Sequence, residues 1–362
     1  MYRLRADSIF LIVVILVVLS VAAYAQSGPN SPRTAEQVFK NIQVLKAIPA
    51  DELIPSMQFM SSSLGVRCDH CHVEGAFEID DKKPKQKARQ MMQMMFALNQ
   101  NSFSGQRQVT CFSCHRGALR PSRTPRVVSE LSPPKNSSSP PSHSADEILN
   151  KYLQAIGGSA AIRAINSEVQ QGKINLADGV QFPLEIFVKV PGMRSIVTHH
   201  PNGNSMEVVN GHSGWTAIPG HPVRRMNSGE QQAAALDADP HFAADLRQFF
   251  TDFKVRDDRS IDGRPVSMVR ASAGNEPPVR LYFDQQSGLL VRMVRYVDSP
   301  LGRNPTQIDY SDYRDVSGVK MPFQWTVAQP QGRYSVVLDR ISVNVPIEVT
   351  RFTKPGPAHP TP

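Results

Sequence analysis

Cysteine is scarce in this 362-residue sequence, which has four, and all four lie in the first third of the chain. So few cysteines in one place exclude a disulfide-stapled scaffold. Long runs of one charge are also missing. Lys and Arg number 40 against 32 Asp and Glu, yet no five basic residues are consecutive, which argues against nucleic-acid binding. With 40% hydrophobic and 20% charged residues, the composition excludes a wholly disordered chain and a polytopic membrane protein.

The N-terminal residues 1–25 have the three parts of a secretory signal peptide. Two arginines precede an apolar run from residue 9 to residue 21, and Ala23-Tyr24-Ala25 is a small-x-small cleavage site. Residues 8–25 are also just long enough to span a bilayer, so a retained N-terminal anchor is the alternative. In both cases we expect an exported, periplasmic protein, which in the second case is anchored to the inner membrane.

Composition and periodicity divide the remaining chain into a helical unit and a β-rich unit. Residues 26–128 carry apolar stripes at helical spacing, and helices are predicted to begin at Thr34, near Asp51 and near Lys85. Nine of the twelve residues 132–143 are Ser or Pro, a composition that cannot bury apolar surface. We therefore assign residues 129–143 to an extended linker.

The β-rich unit is predicted to span residues 144–350. It opens with a capping box, Ser144 to Glu147, and a helix that ends at Gly157-Gly158. The apolar period then changes to two, with turn signals that separate about eight to eleven strands, and one helical insertion is expected at 229–253. The predicted fold class is α+β multidomain: a mostly helical domain, then an antiparallel β half-barrel with a capping helix and a disordered tail at 351–362.

The cysteines form two copies of one motif. Cys68-Asp69-His70-Cys71-His72 and Cys111-Phe112-Ser113-Cys114-His115 are both C-x-x-C-H, the attachment signature of c-type haem. Two thiols at this spacing reach the two vinyl groups of one porphyrin, and the histidine that follows becomes the proximal iron ligand. We therefore predict two covalently attached haems, with His72 and His115 as metal ligands.

Cysteines at this spacing have two other uses. Paired C-x-x-C motifs can bind zinc, although the 39 residues between these pairs are many for a zinc ribbon. A C-x-x-C can also be a redox-active dithiol. Neither use requires a histidine after the second cysteine, and here it follows both times.

Methionine is the natural sixth ligand, because a thioether is a soft donor that favours reduced iron. Met57 and Met60 are the choices for the first haem, and spacing alone does not choose between them. The choices for the second haem are Met91, Met92, Met94 and Met95. Two further groups are assigned by charge. Candidate partners of the haem propionates are Arg67, Arg89, Arg107 and Arg116, and a small basic patch for an acidic redox partner comprises Lys82, Lys83, Lys85 and Lys87.

Residues 40–120 resemble one repeat of the multihaem cytochrome c subunit of the photosynthetic reaction centre. The matching segments are Asn41 to Leu45, Ile54 to Met57, Cys68 to His72, Ala88 to Met91, Leu98-Asn99 and Val109 to Gly117. The resemblance implies that Met57 and Met91 are the axial ligands and that the other methionines pack around the haems. The family subunit has four haems in two repeats, whereas this chain has one repeat, so it resembles a shorter electron relay.

The β-rich unit resembles periplasmic lipoprotein-carrier-like half-barrels. The similarity rests on the helix before Gly157-Gly158 and on two hairpin segments, 282–290 and 312–322. In that family a curved sheet with a helix across its mouth holds an acyl chain, which implies a hydrophobic ligand here. No catalytic set of side chains stands out in this unit.

These features predict an electron carrier, not an enzyme, with no catalytic residues. The expected partners are redox proteins, including a membrane-bound reaction centre or respiratory complex, and no nucleic acid. One alternative is a periplasmic binding protein for a lipid or another hydrophobic ligand, with an accessory or sensing cytochrome domain. Another is a haem peroxidase, which requires one five-coordinate iron.

Overall fold

The computed structural model describes residues 32–121 and 143–356, apart from residues 212 and 275. The predicted signal peptide, most of the predicted linker and the last six residues of the predicted tail lie outside the described residues. No helix in the described ranges is long and apolar enough to cross a membrane.

Within residues 32–121, the helical region contains four α-helices. They are α1 (Ala35–Val38), α2 (Leu53–Leu64), α3 (Lys83–Phe103) and α4 (Cys111–His115), with 3-10 turns at Ala50–Glu52 and Cys68–His70. Pro55 lies in the first turn of α2, where a missing N–H costs no hydrogen bond. Gly65 ends α2 in the left-handed conformation, with φ 66°.

The first predicted helix is much shorter than its apolar stripe implied. The main-chain N–H of Thr34 donates to the side chain of Gln37 at 2.9 Å, as a capping box requires, but α1 ends at Val38. Ile42 and Leu45 therefore do not continue a helix. They lie in the irregular segment that returns to Pro49, which forms an isolated β-bridge with Thr34.

The described part of the second region, residues 143–356 without 212 and 275, is one sheet of thirteen strands with four helices, more strands than the eight to eleven predicted. The helices are α5 (Ala145–Ala155), α6 (Ser159–Arg163), α7 (Ser228–Asp237) and α8 (Phe242–Phe249). The strands are β1 (Ser167–Leu176), β2 (Gln181–Lys189), β3 (Met193–His200), β4 (Gly203–Asn210), β5 (Gly214–Ala217), β6 (Arg224–Arg225), β7 (Asp252–Ile261), β8 (Arg264–Ser272), β9 (Val279–Asp284), β10 (Leu290–Ser299), β11 (Gly302–Val316), β12 (Val319–Gln329) and β13 (Gly332–Val343).

Two antiparallel meanders make up this sheet. The strand order is β6-β5-β4-β3-β2-β1-β13-β12-β11-β10-β9-β8-β7. The first meander therefore runs outward from β1 to β6, α7 and α8 carry the chain to the opposite edge, and the second meander returns to pair β13 with β1. The helical insertion predicted at 229–253 is this crossover, and it consists of two helices instead of one.

The sheet is strongly curved. Asp237 at the end of α7 pairs with Arg295 on β10 at 2.6 Å and lies 3.7 Å from Arg194 on β3. Six strand spacings separate β3 from β10, and a flat sheet at about 4.8 Å per strand would hold them roughly 29 Å apart. One carboxylate reaches both arginines only because the sheet wraps around the helices. The predicted half-barrel with a helical cap is therefore confirmed.

The concave face of the half-barrel holds the main core. α5 contributes Ile148, Leu149 and Tyr152, and α8 contributes Leu246, all at most 7% exposed. They pack against apolar residues from strands β2 and β8 to β13. The helix α5 begins at the predicted capping box, where the N–H of Ser144 donates to Glu147 at 2.7 Å.

The C-terminal segment is ordered beyond the predicted boundary at residue 350. A 3-10 turn forms at Val349–Phe352, and Phe352 is 1% exposed in a cluster with Phe187 and Ile347. The prediction of a disordered tail is therefore wrong for its first residues, because the aromatic side chain of Phe352 packs in this cluster against the sheet.

The tip of the β10–β11 hairpin inserts into the helical region. Leu301 is fully buried, and its cluster is otherwise formed by the helical region, including Phe59 and Met60 of α2. Gly302 faces the ring of Phe59 so closely that there is no room for a Cβ. The side chain of Asn304 donates to the carbonyl of Pro55 at 3.1 Å. Apolar packing and polar contacts thus join the two regions.

Candidate haem sites

The first motif positions its histidine through a backbone hydrogen bond. Cys68–His70 forms a 3-10 turn, and the N–H of His72 donates to the carbonyl of Cys68 at 3.0 Å. The ring Nδ1 of His72 donates to the carbonyl of Phe77 at 2.9 Å. A carbonyl only accepts, so Nδ1 carries the proton and Nε2 presents a lone pair. This is the tautomer that binds a metal through Nε2.

The second motif has the same arrangement in a different local fold. It forms the short helix α4, capped where the N–H of Thr110 donates to the hydroxyl of Ser113 at 3.0 Å. The ring Nδ1 of His115 donates to the carbonyl of Ala118 at 3.1 Å. Both motif histidines therefore have Nε2 available for iron.

A large cavity adjoins the first motif. It has a volume of about 580 Å³, and its walls include Cys71, His72 and Met57. Ligand and cofactor cavities span about 300–1,000 Å³. A thiol, a histidine with a free Nε2 and a thioether around one mostly apolar space fit a c-type haem. Met60 also lines this cavity, although it is the more buried of the two methionines.

The loop that follows the first motif is held by a buried lysine. Lys85 is 8% exposed, and its Nζ donates to the carbonyls of three consecutive residues, Phe77 to Ile79, at 2.8–2.9 Å. It also pairs with Asp80 at 2.9 Å. The same loop supplies the carbonyl that orients His72. Lys85 is thus a support of the haem site, and its assignment to a basic surface patch is wrong.

Asp80 forms ion pairs with two cationic side chains at the cavity, Lys85 and Arg89. Arg89 pairs with it at 2.7 Å, and hydrogen bonds from Arg89 and then Lys85 hold the pKa of the Asp80 carboxyl well below its ordinary value. The other Arg89 nitrogen donates to the carbonyl of Asn41 at 3.2 Å. Arg89 also lines the cavity, so its assignment as a propionate partner stays a prediction.

Arg107 is also used elsewhere. It pairs with Asp298 of the sheet domain at 2.8 Å and donates to the carbonyl of Ser299. Its role is to join the two regions, and its assignment as a propionate partner is wrong. Arg67 and Arg116 are exposed beside their motifs.

The surroundings of the second motif are more open. Cys111 packs against the helical core, and Met91 and His115 are each half-buried. Nearby on α3 and α4, large apolar side chains face solvent, among them Met94 at 56% and Phe112 at 53% exposure. An open apolar surface beside a C-x-x-C-H fits a haem that packs against α3.

The cysteines do not fit the two other uses. Burial raises the pKa of the Cys71 and Cys111 thiols, whereas a redox-active dithiol needs a lowered one. In the described ranges, three or more potential metal ligands converge only at Asp239, His241 and Asp245. The four thiols therefore do not meet at one point, as a zinc ribbon requires.

Of the other histidines, His70 belongs to the first motif, whereas His199, His200 and His221 belong to the sheet domain. His70 is half-buried within the first motif. On β3, His199 contacts Glu185 at 3.3 Å and His200 contacts Ser205 at 2.9 Å, so both are engaged within the sheet. His221, between β5 and β6, lines the first haem cavity. Sequence reasoning missed it, because no motif marks it and its chain neighbours belong to the other domain.

Two C-x-x-C-H motifs whose histidines have a free Nε2 are typical of c-type cytochromes. Residues 17–154 match the model of the family described as the photosynthetic reaction centre cytochrome C subunit. The photosynthetic reaction center cytochrome c subunit of Thermochromatium tepidum is 32% identical over 102 residues, which are 27% of this chain. The alignment covers 24% of that protein, about a quarter of its length. The helical region is therefore similar to a cytochrome c family, as its motifs predicted.

The sheet domain has neighbours among solved structures. A putative outer membrane lipoprotein-sorting protein domain from Vibrio parahaemolyticus has a TM-score of 0.40 at 12% identity, covering 57% of this chain and 95% of that one. A LolA superfamily protein from Nitrosomonas europaea has a TM-score of 0.39 at 16% identity, covering 59% and 98%. The strand order and the curvature of the sheet in this chain define the half-barrel.

Proposed function

We propose that this protein is an exported dihaem c-type cytochrome that transfers single electrons. The observation that carries the proposal is the repeated hydrogen bond from Nδ1 of a motif histidine to a backbone carbonyl, at His72 and at His115. It prepares both rings to bind iron through Nε2. Cys68, Cys71, Cys111 and Cys114 hold the two haems, and Met57 and Met91 are the distal ligands.

The protein's own residues hold and shield the haems and carry out no bond chemistry. Haem iron supplies a one-electron change of oxidation state. The Phe77–Asp80 loop, held by Lys85, keeps His72 in place, and Met57 lies on the wall of the same cavity. If Met57 and Met91 bind the irons together with His72 and His115, neither iron would have an open position for a substrate. The protein is therefore a carrier and not an enzyme.

The partner we propose is a membrane-bound redox complex, either a reaction centre or a respiratory complex. The relative from Thermochromatium tepidum is by its name a reaction-centre subunit, but this chain covers only 24% of it. Export to the periplasm, by a signal peptide or with a retained anchor, would place the chain where such complexes exchange electrons.

The test is expression of the full chain with a c-type maturation system, followed by a haem count from the reduced pyridine haemochrome. We expect two covalent haems per chain and a methionine–iron charge-transfer band in the oxidised spectrum. Met57→Ala and Met91→Ala should each remove part of that band. The controls are Met60→Leu, on the same cavity wall as Met57, and Met94→Leu, on α3 beside Met91.

Other outcomes would decide against parts of the proposal. A protein that carries no haem, or holds zinc instead, is not this cytochrome. A spectrum that Met57→Ala or Met91→Ala leaves unchanged means that the corresponding iron lacks that ligand. This result would favour the peroxidase alternative.

One observation favours a second function, binding of a hydrophobic ligand in the half-barrel. A cavity of about 240 Å³ lies beneath α5 and α8, with walls that include Met293, Ile308 and Ile341. Glu168 on β1 also faces it, and burial raises the pKa of the Glu168 carboxyl. The walls therefore combine apolar side chains with polar ones, among them Gln170, Arg194 and Asp237. A mixed lining of this kind suits a small apolar molecule with a polar end.

Native mass spectrometry of the purified full chain tests this second function. We expect an apolar molecule that organic solvent extracts, and we expect Ile341→Phe to reduce its occupancy by filling the cavity. Leu176→Phe, at an exposed position on the sheet, is the control. A chain that never carries a ligand, in its native host or after incubation with membrane lipids, would exclude this function.

A further inference from the structure

One residue of the sheet domain lies on the wall of the first haem cavity. The other lining residues all come from the segment 38–92 of the helical region, whereas His221 comes from the connection between β5 and β6. His221 is also exposed to solvent. A residue that both lines a cavity and faces solvent lies at the mouth of that cavity.

The connection that carries His221 is held firmly at its base. The guanidinium of Arg224 binds both carboxylate oxygens of Glu230, at 2.6 and 2.8 Å. The N–H of Met226 donates to the carbonyl of Gly214 at 2.8 Å, which closes β6 against β5. Within the turn, the N–H of His221 donates to the carbonyl of Ile218 at 3.1 Å. The position of His221 is therefore defined by the sheet domain.

Two of the other cationic groups around the cavity are already engaged, and the third extends into solvent. Lys85 and Arg89 bind Asp80, and Lys40 lies 4.0 Å from Glu78 with 83% of its side chain exposed. In the described residues, by contrast, the ring of His221 has no hydrogen-bond partner. His221 is thus a polar group at the mouth whose donor capacity is unused.

The propionates are the charged part of a haem. Burying a carboxylate without a partner is costly, so the propionate edge faces the open, polar side of its cavity. Here that side carries His221. Hydrogen bonds to carboxylates are strong, and polar contacts around a haem set its reduction potential.

We propose that His221 of the sheet domain donates a hydrogen bond to a propionate of the first haem, so that the sheet domain completes this site and tunes its potential. This proposal rests on the proposed function, since it requires a haem on Cys68 and Cys71. It makes the half-barrel a part of the haem pocket as well as a neighbouring domain. The reduction potential of the first haem, and not that of the second, then depends on a residue of the sheet domain.

The test is a spectroelectrochemical titration of the full-length protein in three variants. Removing the donor in His221→Ala leaves more negative charge beside the iron, which favours the ferric state, so we expect one of the two potentials to fall. His221→Glu should lower the same potential further. His221→Gln keeps an N–H donor and should retain most of the original value. His199→Ala, on β3, is the control and should leave both potentials unchanged.

Single-haem backgrounds assign the effect to a site. With Cys111 and Cys114 replaced by Ser, only the first haem remains, and the fall caused by His221→Ala must persist. With Cys68 and Cys71 replaced by Ser, it must disappear. If both haems are attached and neither reduction potential changes in His221→Ala or His221→Glu, the inference is wrong. The proposed function as a cytochrome is then unaffected. A chain that loads no haem overturns the proposed function itself, and the haem count separates these two results.

Discussion

The helical region and the sheet domain bury their apolar side chains in different ways. The main cluster of the sheet domain has 26 buried residues, whereas the cluster of the helical region has eight, one of which, Leu301, belongs to the sheet domain. Of the twelve large apolar side chains that are exposed in the described residues, eight lie in the smaller helical region. A chain segment with a large cavity and uncovered apolar surface is typical of a fold that a prosthetic group completes. The half-barrel, by contrast, closes a core of its own.

The strongest way to test this difference is to remove the haem attachment. We expect replacement of all four cysteines by Ser to prevent haem binding and to deprotect the amides of α2 and α3, while those of β8 to β13 stay protected. The physical reason is that the first cavity, about 580 Å³, loses the group that fills it. Hydrogen exchange of loaded and cysteine-free protein measures this. Equal protection of α2 in both proteins would show that the helical region folds unaided.

The next test compares two fully buried leucines of the sheet domain. Leu301 contacts the helical core and Leu281 the half-barrel core, and both are 0% exposed. Each Leu→Ala change should cost about 2–5 kcal/mol of unfolding free energy. We expect Leu301→Ala to deprotect α2, and Leu281→Ala to deprotect β8 to β10. Residue-resolved hydrogen exchange gives the answer, and deprotection of the half-barrel alone by Leu301→Ala would contradict the assignment of Leu301 to the helical core.

A smaller effect is expected at two glycines of the helical region, both with positive φ. A Cβ on Gly65, φ 66°, would overlap the carbonyl oxygen of Gly117, whereas a Cβ on Gly75, φ 74°, meets nothing within 4 Å. Gly75→Ala should therefore cost only the backbone strain, about 1 kcal/mol. Gly65→Ala should cost more, because α2 must also move away from the second motif. Thermal unfolding of the haem-loaded variants compares them, and equal losses would show that the contact between Gly65 and Gly117 is not tight.

The smallest effect is on the pH dependence of stability, and it arises at Glu52, close to the contact between the helical region and the sheet domain. Burial, with the nearby carboxylates of Asp51, Glu230 and Asp298, raises the pKa of Glu52 to about 7. The folded state then holds a proton that the unfolded state releases above about pH 4.5. Stability should fall as pH rises from about 4.5 to 7, and Glu52→Gln should remove this loss. We expect the variant to be more stable than the parent at pH 8 and similar to it at pH 4.

The control for the junction is Glu147, whose pKa has the opposite shift. Hydrogen bonds from the backbone and the hydroxyl of Ser144 lower the pKa of its carboxyl. Its contribution is present above the unfolded pKa and is lost as pH falls, so Glu147→Gln should not gain stability at pH 8. Chemical denaturation at the two pH values measures both variants. A pH dependence for Glu52→Gln equal to that of the parent would show that the Glu52 carboxyl is ionised in the folded state at neutral pH.

Local sequence patterns predicted much of each region. A helix begins at Thr34 as expected, the capping box at Ser144 is present, Gly157-Gly158 follow the end of α5, and the period of two marked the strands correctly. These signals depend on residues within a few positions of each other. Apolar spacing alone misjudged the helix after Thr34, because an apolar stripe can also pack from an irregular segment around a cavity.

The partners of charged side chains were the feature that the sequence predicted least well. The sequence predicts haem contacts for Arg89 and Arg107, which flank the motifs, and a surface patch for Lys85, which lies among other lysines. In the structure Lys85 and Arg89 share Asp80, and Arg107 reaches Asp298. The partner of a charged side chain depends on which backbone and carboxylate groups the fold brings within a few ångströms. The order of residues along the chain does not carry this information.

The sequence by itself determined the proposed chemistry of this protein, because the signature of haem attachment occupies five consecutive residues and occurs twice. It also determined the two-part layout, since helical and strand periods are local. Only the tertiary structure decided which residues share a site: Met57 and His72 on one cavity wall, Leu301 in the core of the helical region and His221 at the mouth of the first haem cavity. Those contacts join segments far apart in the chain, and the packing of a curved sheet against a helical region brings them together.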